Sequence, residues 1–132
     1  MNRIRFLKLW SLSVGSMDAV TGLLLIFVPT LVLKLLGIGA PSTDALVFLS
    51  WMGVFVAGVG LSYAMALGGR SRGETVWVFT AMIRILVAIF LTVKILEGVL
   101  EINWGIVGVF DGIAGVLQLV ILRLGWWKEV PK

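Results

Sequence analysis

Four long apolar runs divide this chain, at about 7–28, 45–67, 75–95 and 102–122. At about 1.5 Å per residue, each can cross a hydrocarbon layer about 30 Å thick. Lipid offers no partner for a free amide or carbonyl, so each run is expected to be a helix. Pro29 ends the first, because the residue before proline is pushed out of helical geometry. The second carries no charge, while Arg84 interrupts the third and Asp111 the fourth.

Between the first two runs lies "PTLVLKLLGIGAPSTD", too short to cross again. Pro29 can start a helix, and Leu31, Val32, Leu35 and Leu36 give it an apolar face beside Lys34. A short interfacial helix over Thr30–Leu36 is predicted, ended by Gly37 and Gly39, with Ser42 or Thr43 capping the second span. The expected architecture is a single all-α domain over residues 1–132: an integral membrane bundle of four transmembrane helices plus the short interfacial helix.

Composition strengthens this picture. The 132 residues are 60% hydrophobic and 14% charged, against about 45–50% and about 25% in a soluble domain. There is no cysteine and no histidine, which excludes disulfides, thiol chemistry and histidine ligation of haem or zinc. No metal site and no cofactor is expected. The net charge of +4 is not a nucleic-acid signal, because the basic residues flank apolar spans. "MNRIRFLKLW" is basic and leads into an apolar run, but no small-residue cleavage site follows, so it is expected to be a retained first span.

Charge also sets orientation. Arg3, Arg5, Lys8, Arg70, Arg72, Arg123, Lys128 and Lys132 fall on one side, and only Lys34 and Lys94 on the other. The positive-inside rule then places both termini in the cytoplasm and the chain in the cytoplasmic membrane. Trp10, Trp77, Trp126 and Trp127 at one face and Trp104 at the other read as an aromatic belt.

The candidate chemistry lies within the spans. "VGSMDAVTGLLL" and "VGVFDGIAGVLQ" agree at Val14/Val107, Gly15/Gly108, Asp18/Asp111, Gly22/Gly115 and Leu24/Leu117. Spans one and four run in opposite directions, so an inverted-repeat relation is conceivable, although spans two and three show no matching pair. Asp18 and Arg84 each lie about 15 Å deep and Asp111 about 16–20 Å deep. One ionic cluster, Asp18–Arg84–Asp111, is predicted.

The faces agree with such a cluster. Gly15, Asp18, Ala19 and Gly22 share a stripe, as do Gly108, Asp111, Gly112 and Gly115. Ala81, Arg84 and Ala88 share a face of span three, and Ser50, Gly53, Ala57, Gly60 and Ala64 make a small-residue seam on span two. Small residues let helices approach closely in lipid, which turns the charges inward. The cluster reads either as a structural clasp or as a ligand or proton site. All ionised, it carries one net negative charge, so one carboxyl is expected to hold a proton. Gln118, Tyr63 and Thr21 are secondary cavity candidates, with Thr80 and Thr92 behind them. Lys94, Glu97 and Glu101 read as solvated, and Glu74 as a residue at the start of span three.

"GLLLIFVP" closing span one, the short surface helix, "MIR" in span three and "DGIAGVLQL" in span four together resemble the DoxX-like group of small bacterial membrane proteins. The resemblance implies an accessory or assembly protein, associated with a membrane oxidoreductase, with a partner membrane protein or a second copy and a groove sized for a lipid or quinone. Two other readings stand beside it. A small proton-coupled transporter would use Asp18 as its exchange residue. An enzyme on a lipophilic substrate would use Asp18 and Asp111 as paired acids, but no further catalytic element is visible, and a non-enzyme is expected.

Overall fold

The computed structural model describes all 132 residues and is helical throughout, with no strand. Helix α1 spans Arg3–Phe27, α2 Pro29–Leu35, α3 Thr43–Ala66, α4 Arg70–Leu96 and α5 Gly105–Arg123. Two short 3-10 turns, Ile102–Trp104 and Trp126–Glu129, precede and follow α5. The four long helices are each long and apolar enough to cross a membrane. At most 33% of any spanning window is buried by the protein itself. The rest presents leucine, valine, isoleucine and phenylalanine outward, so lipid is the solvent of this surface. The chain is a multi-pass membrane protein.

Local chemistry explains the ends. Asn2 accepts from the Ile4 amide and caps α1. Val28, before Pro29, leaves helical geometry at φ −139° and closes it. Pro29 starts α2, one residue earlier than the predicted Thr30. Gly37, at φ +71°, ends α2, with the Ile38 amide returning to the Leu33 carbonyl at 2.9 Å. Ser42, rather than Thr43, caps α3. The spanning helices exceed their apolar runs at several ends. Thus α4 begins at Arg70 rather than near Thr75, because its first turns stand outside the apolar layer and their polar residues are solvated.

The bundle is built from two antiparallel pairs, α1 with α3 and α4 with α5. In the first pair the backbones nearly touch. A Cβ on Gly15 would lie 2.8 Å from the Gly60 carbonyl, one on Gly22 2.6 Å from the Gly53 carbonyl, and one on Gly60 2.6 Å from the Gly15 carbonyl. Gly53, Ala57 and Gly60 form the predicted seam, but Ala64 is exposed, and Tyr63 takes the buried position at that turn. The second pair is looser: a Cβ on Gly108 or Gly112 would sit 3.5 Å from its nearest neighbour.

Between the pairs the spacing is different. No Cα of α1 comes within 8 Å of α4 or α5. The gap is filled by long side chains, among them Leu7, Tyr63, Trp77, Thr80, Arg84 and Gln118. Trp77 and Trp127 are therefore core residues, 0% and 2% exposed, and not members of an interfacial belt as expected. Trp127 is carried under the bundle by the last 3-10 turn and packs edge-on against Trp77, with centroids 5.4 Å apart. Arg3 pairs with Glu129, so both ends of the chain meet at one basic end of the bundle.

At the opposite end, Asn103 donates to the Leu36 and Gly37 carbonyls at 3.1 and 3.0 Å. Glu101, expected only to be solvated, also accepts from the Gly39 amide at 3.3 Å. These bonds latch the α2–α3 loop of one pair to the α4–α5 loop of the other.

The glycine contacts generate a prediction. Gly22→Ala should destabilise the protein by about 1–3 kcal/mol, because the new methyl meets backbone that cannot yield. Gly112→Ala should be nearly neutral, since its methyl enters ordinary contact with Ala88. Denaturant unfolding in detergent micelles measures both, and equal losses would contradict the difference in packing.

Candidate functional site

Arg84 projects from the middle of α4 into the gap between the pairs and is 4% exposed. Its two Nη atoms donate separately, one to Asp18 on α1 and the other to Asp111 on α5. Its Nε donates to the Tyr63 hydroxyl on α3 at 3.3 Å. One side chain thus touches all three other spans. The guanidinium also lies near the Tyr63 and Phe110 rings, 5.9 and 5.7 Å from their centroids. A planar fork of donors can serve several acceptors at once, which a lysine ammonium cannot do with the same geometry.

The network continues towards the basic end. Tyr63 donates its hydroxyl proton to Gln118 Oε1 at 2.8 Å. Gln118 Nε2 donates to Thr80 Oγ1 at 2.9 Å and to the Trp77 carbonyl at 3.2 Å. Trp10 Nε1 reaches Gln118 Oε1 at 3.4 Å, and Trp77 Nε1 donates to Ser11 Oγ at 2.9 Å. All four spans contribute, and each bond satisfies a group that lipid would leave unpaired.

The predicted trio Asp18, Arg84 and Asp111 is therefore brought together, and Tyr63 and Gln118 join it directly. Thr21 does not: it is half-buried and its hydroxyl makes no bond to the cluster. Thr92 is exposed and bonds only its own helix, at the Ala88 carbonyl. Ser11, Trp10 and Trp77 were missed as network members. The signal for two of them was spacing. Ser11 stands seven residues before Asp18 and Trp77 seven before Arg84, just as Gln118 stands seven after Asp111. Two helical turns keep each pair on one face.

The echo between α1 and α5 is also used. In both segments the glycines lie against the hairpin partner while the aspartate turns to Arg84. Each carboxylate keeps one oxygen, Asp18 Oδ1 and Asp111 Oδ2, that accepts no bond from the protein. The side chains are 12% and 15% exposed, and neither free oxygen is fully buried. Two further hollows lie elsewhere. One, of about 370 Å³, runs along the flank of α4 and α5 past Leu91, Gly108, Val109, Gly112 and Ile113. The other lies at the basic end.

Comparisons with protein-family models, with curated proteins and with solved structures return no match. The functional reading therefore rests on the residues themselves.

The network predicts its own mutational hierarchy. Arg84→Ala should cost about 3–5 kcal/mol, because it leaves two carboxylates inside the membrane without a counter-ion. Gln118→Leu should cost about 1–3 kcal/mol, because it strands the Tyr63 and Trp10 donors. Unfolding midpoints in mild detergent test both. An unchanged midpoint in Arg84→Ala would mean that the ions do not hold the bundle.

Proposed function

We propose that this is a small accessory protein of the cytoplasmic membrane that binds another membrane component along its lipid-facing sides. Both termini lie in the cytoplasm in this reading, because the end where they meet carries eight of the basic residues. The observation that carries the proposal is the inward closure of the polar network. The guanidinium of Arg84 is spent on Asp18, Asp111 and Tyr63, and both ends of the Gln118 amide are used. The buried polar groups answer one another across the bundle, which suits a scaffold better than a reaction site. The resemblance to the DoxX-like group points the same way, towards an assembly or accessory role beside a membrane oxidoreductase.

The flank of α4 and α5 is the side that suits an associate. Glycine at 108 and 112 is not required by contacts within the chain, yet it keeps a furrow of about 370 Å³ open to lipid. A partner helix, a second copy, or the chain of a lipid or quinone would fill it. A photo-crosslinking residue at Val109 or Ile113 should give one discrete adduct after irradiation of membranes. The same probe at Leu61, on the far side of α3, should give none. Identical diffuse lipid labelling from all three positions would overturn the reading.

A second reading is favoured by the two free carboxylate oxygens. Asp18 would then take up and release a proton coupled to a solute. Arg84 weighs against it, since it already engages Asp18 and repels cations. Reconstituted wild-type protein should show proton flux in that case, and Asp18→Asn should abolish it while retaining the fold. Absence of flux in the wild type removes this reading.

A further inference from the structure

The two helical pairs are joined unequally at their two ends. The chain passes between them once, at the turn from Ala66 to Arg70 at the basic end. Beyond that turn, hydrogen bonds tie the pairs at successive levels. Trp77 Nε1 donates to Ser11 Oγ at 2.9 Å, and the Tyr63 hydroxyl to Gln118 Oε1 at 2.8 Å. Arg3 of α1 adds an ion pair with Glu129, after α5. Nine buried apolar residues pack as one cluster, among them Leu7, Ala66, Ile121 and Val130. All nine lie between the basic end and the level of Arg84.

Past Arg84 the ties stop. Between the Arg84 clamp and the opposite end, no hydrogen bond and no ion pair joins the two pairs. The Thr92 hydroxyl and the Lys94 ammonium are both spent within α4 and its cap. The next tie is the latch at the far end, where Asn103 donates to the Leu36 and Gly37 carbonyls and the Gly39 amide donates to Glu101. Gly37, Gly39 and Glu101 are exposed, so water competes for these bonds. Lipid is as apolar as the facing side chains, so burial adds little to keep the far halves shut.

The connection at the basic end is suited to movement. It carries Gly68 and Gly69, and Gly69 stands at φ +127°, a conformation that side chains rarely adopt. A few such residues can absorb the backbone change of a hinge. A small tilt about this turn moves the far ends most and the aromatic layer least. The long side chain of Arg84 spans the level between them.

We propose that the two pairs form a jaw, hinged at Gly68–Gly69 and held shut at the far end by Asn103 and Glu101. Opening widens a cleft whose floor is the Asp18–Arg84–Asp111 cluster. Asp18 and Asp111 each keep one oxygen that accepts no bond from the protein, so the cleft leads to acceptors. The latch thus controls access to the ions from the end opposite the termini. This device depends on neither the accessory reading nor the proton-coupled one.

The test uses pairs of spin labels and double electron–electron resonance on the full chain in lipid nanodiscs. The chain has no cysteine, so labels attach only where cysteines are placed. Val47→Cys with Ile106→Cys reports the far end of α3 and α5, and Met65→Cys with Val120→Cys reports the basic end of the same two helices. All four positions are exposed. The latch variant, Asn103→Ala with Glu101→Ala, should raise the ratio of long to short distances at the far end about ten-fold, the effect of losing one or two net hydrogen bonds. The basic-end pair should keep a single distance, unchanged by the latch variant, which also shows that the variant is folded. A far-end distance that the latch variant leaves unaltered overturns the jaw. Equal lengthening at both ends overturns the hinge, because the pairs would then part as a whole.

Discussion

Arg84 of the α4–α5 pair reaches across to α1, no Cα of which comes within 8 Å of α4 or α5. Its guanidinium bonds Asp18 from the α1–α3 pair and Asp111 from its own α4–α5 pair, and it leans on Tyr63 of the first. In water, the apolar faces of two hairpins would associate without help. In lipid they gain nothing by it, because the tails are as apolar as the side chains. Something other than hydrophobic burial must hold the pairs together. Asp18 finds its counter-ion only on the other pair, and this supplies that force, since separation would leave its carboxylate unpaired in hydrocarbon.

The rest of the molecule follows from this division. Within the α1–α3 pair, glycines at 15, 22, 53 and 60 allow backbone contact, so packing alone suffices there. Between α1 and the α4–α5 pair, the distance excludes such contact and makes room for a layer of tryptophan, tyrosine, glutamine and arginine. That layer lies in the basic half of the bundle, where Trp127 closes it from below. At the opposite end, Asn103 and Glu101 latch the α2–α3 loop to the segment before α5. The same chain therefore has one end consolidated by aromatic packing and another tied by a few loop hydrogen bonds.

Much of this was legible in the sequence. Membrane helices have few choices, so four apolar runs became four helices. Asp18, Arg84 and Asp111 could be matched by depth and by the small residues that share their faces. Gln118 and Tyr63 were visible as polar groups on apolar spans. The aromatic core was not legible, because tryptophan near a span end is at home either in the headgroup layer or in the protein interior. Trp77 and Trp127 went inward because the gap between the pairs needed volume, and that gap is set by tertiary packing. The latch was hidden for a different reason. Asn103 and Glu101 act on backbone carbonyls and an amide, which leave no trace in side-chain patterning. Thr21, one turn beyond Asp18, is half-buried and bonds nothing in the cluster.

The most direct measurement of the ionic clamp is a thermodynamic cycle in detergent micelles over three variants: Arg84→Ala, the pair Asp18→Asn with Asp111→Asn, and all three changes together. If the ions hold the pairs to each other, removing all three charges should restore about 2 kcal/mol or more relative to Arg84→Ala alone, because no unpaired carboxylate remains. Losses that simply add would contradict the clamp and leave aromatic packing as the force between the two pairs.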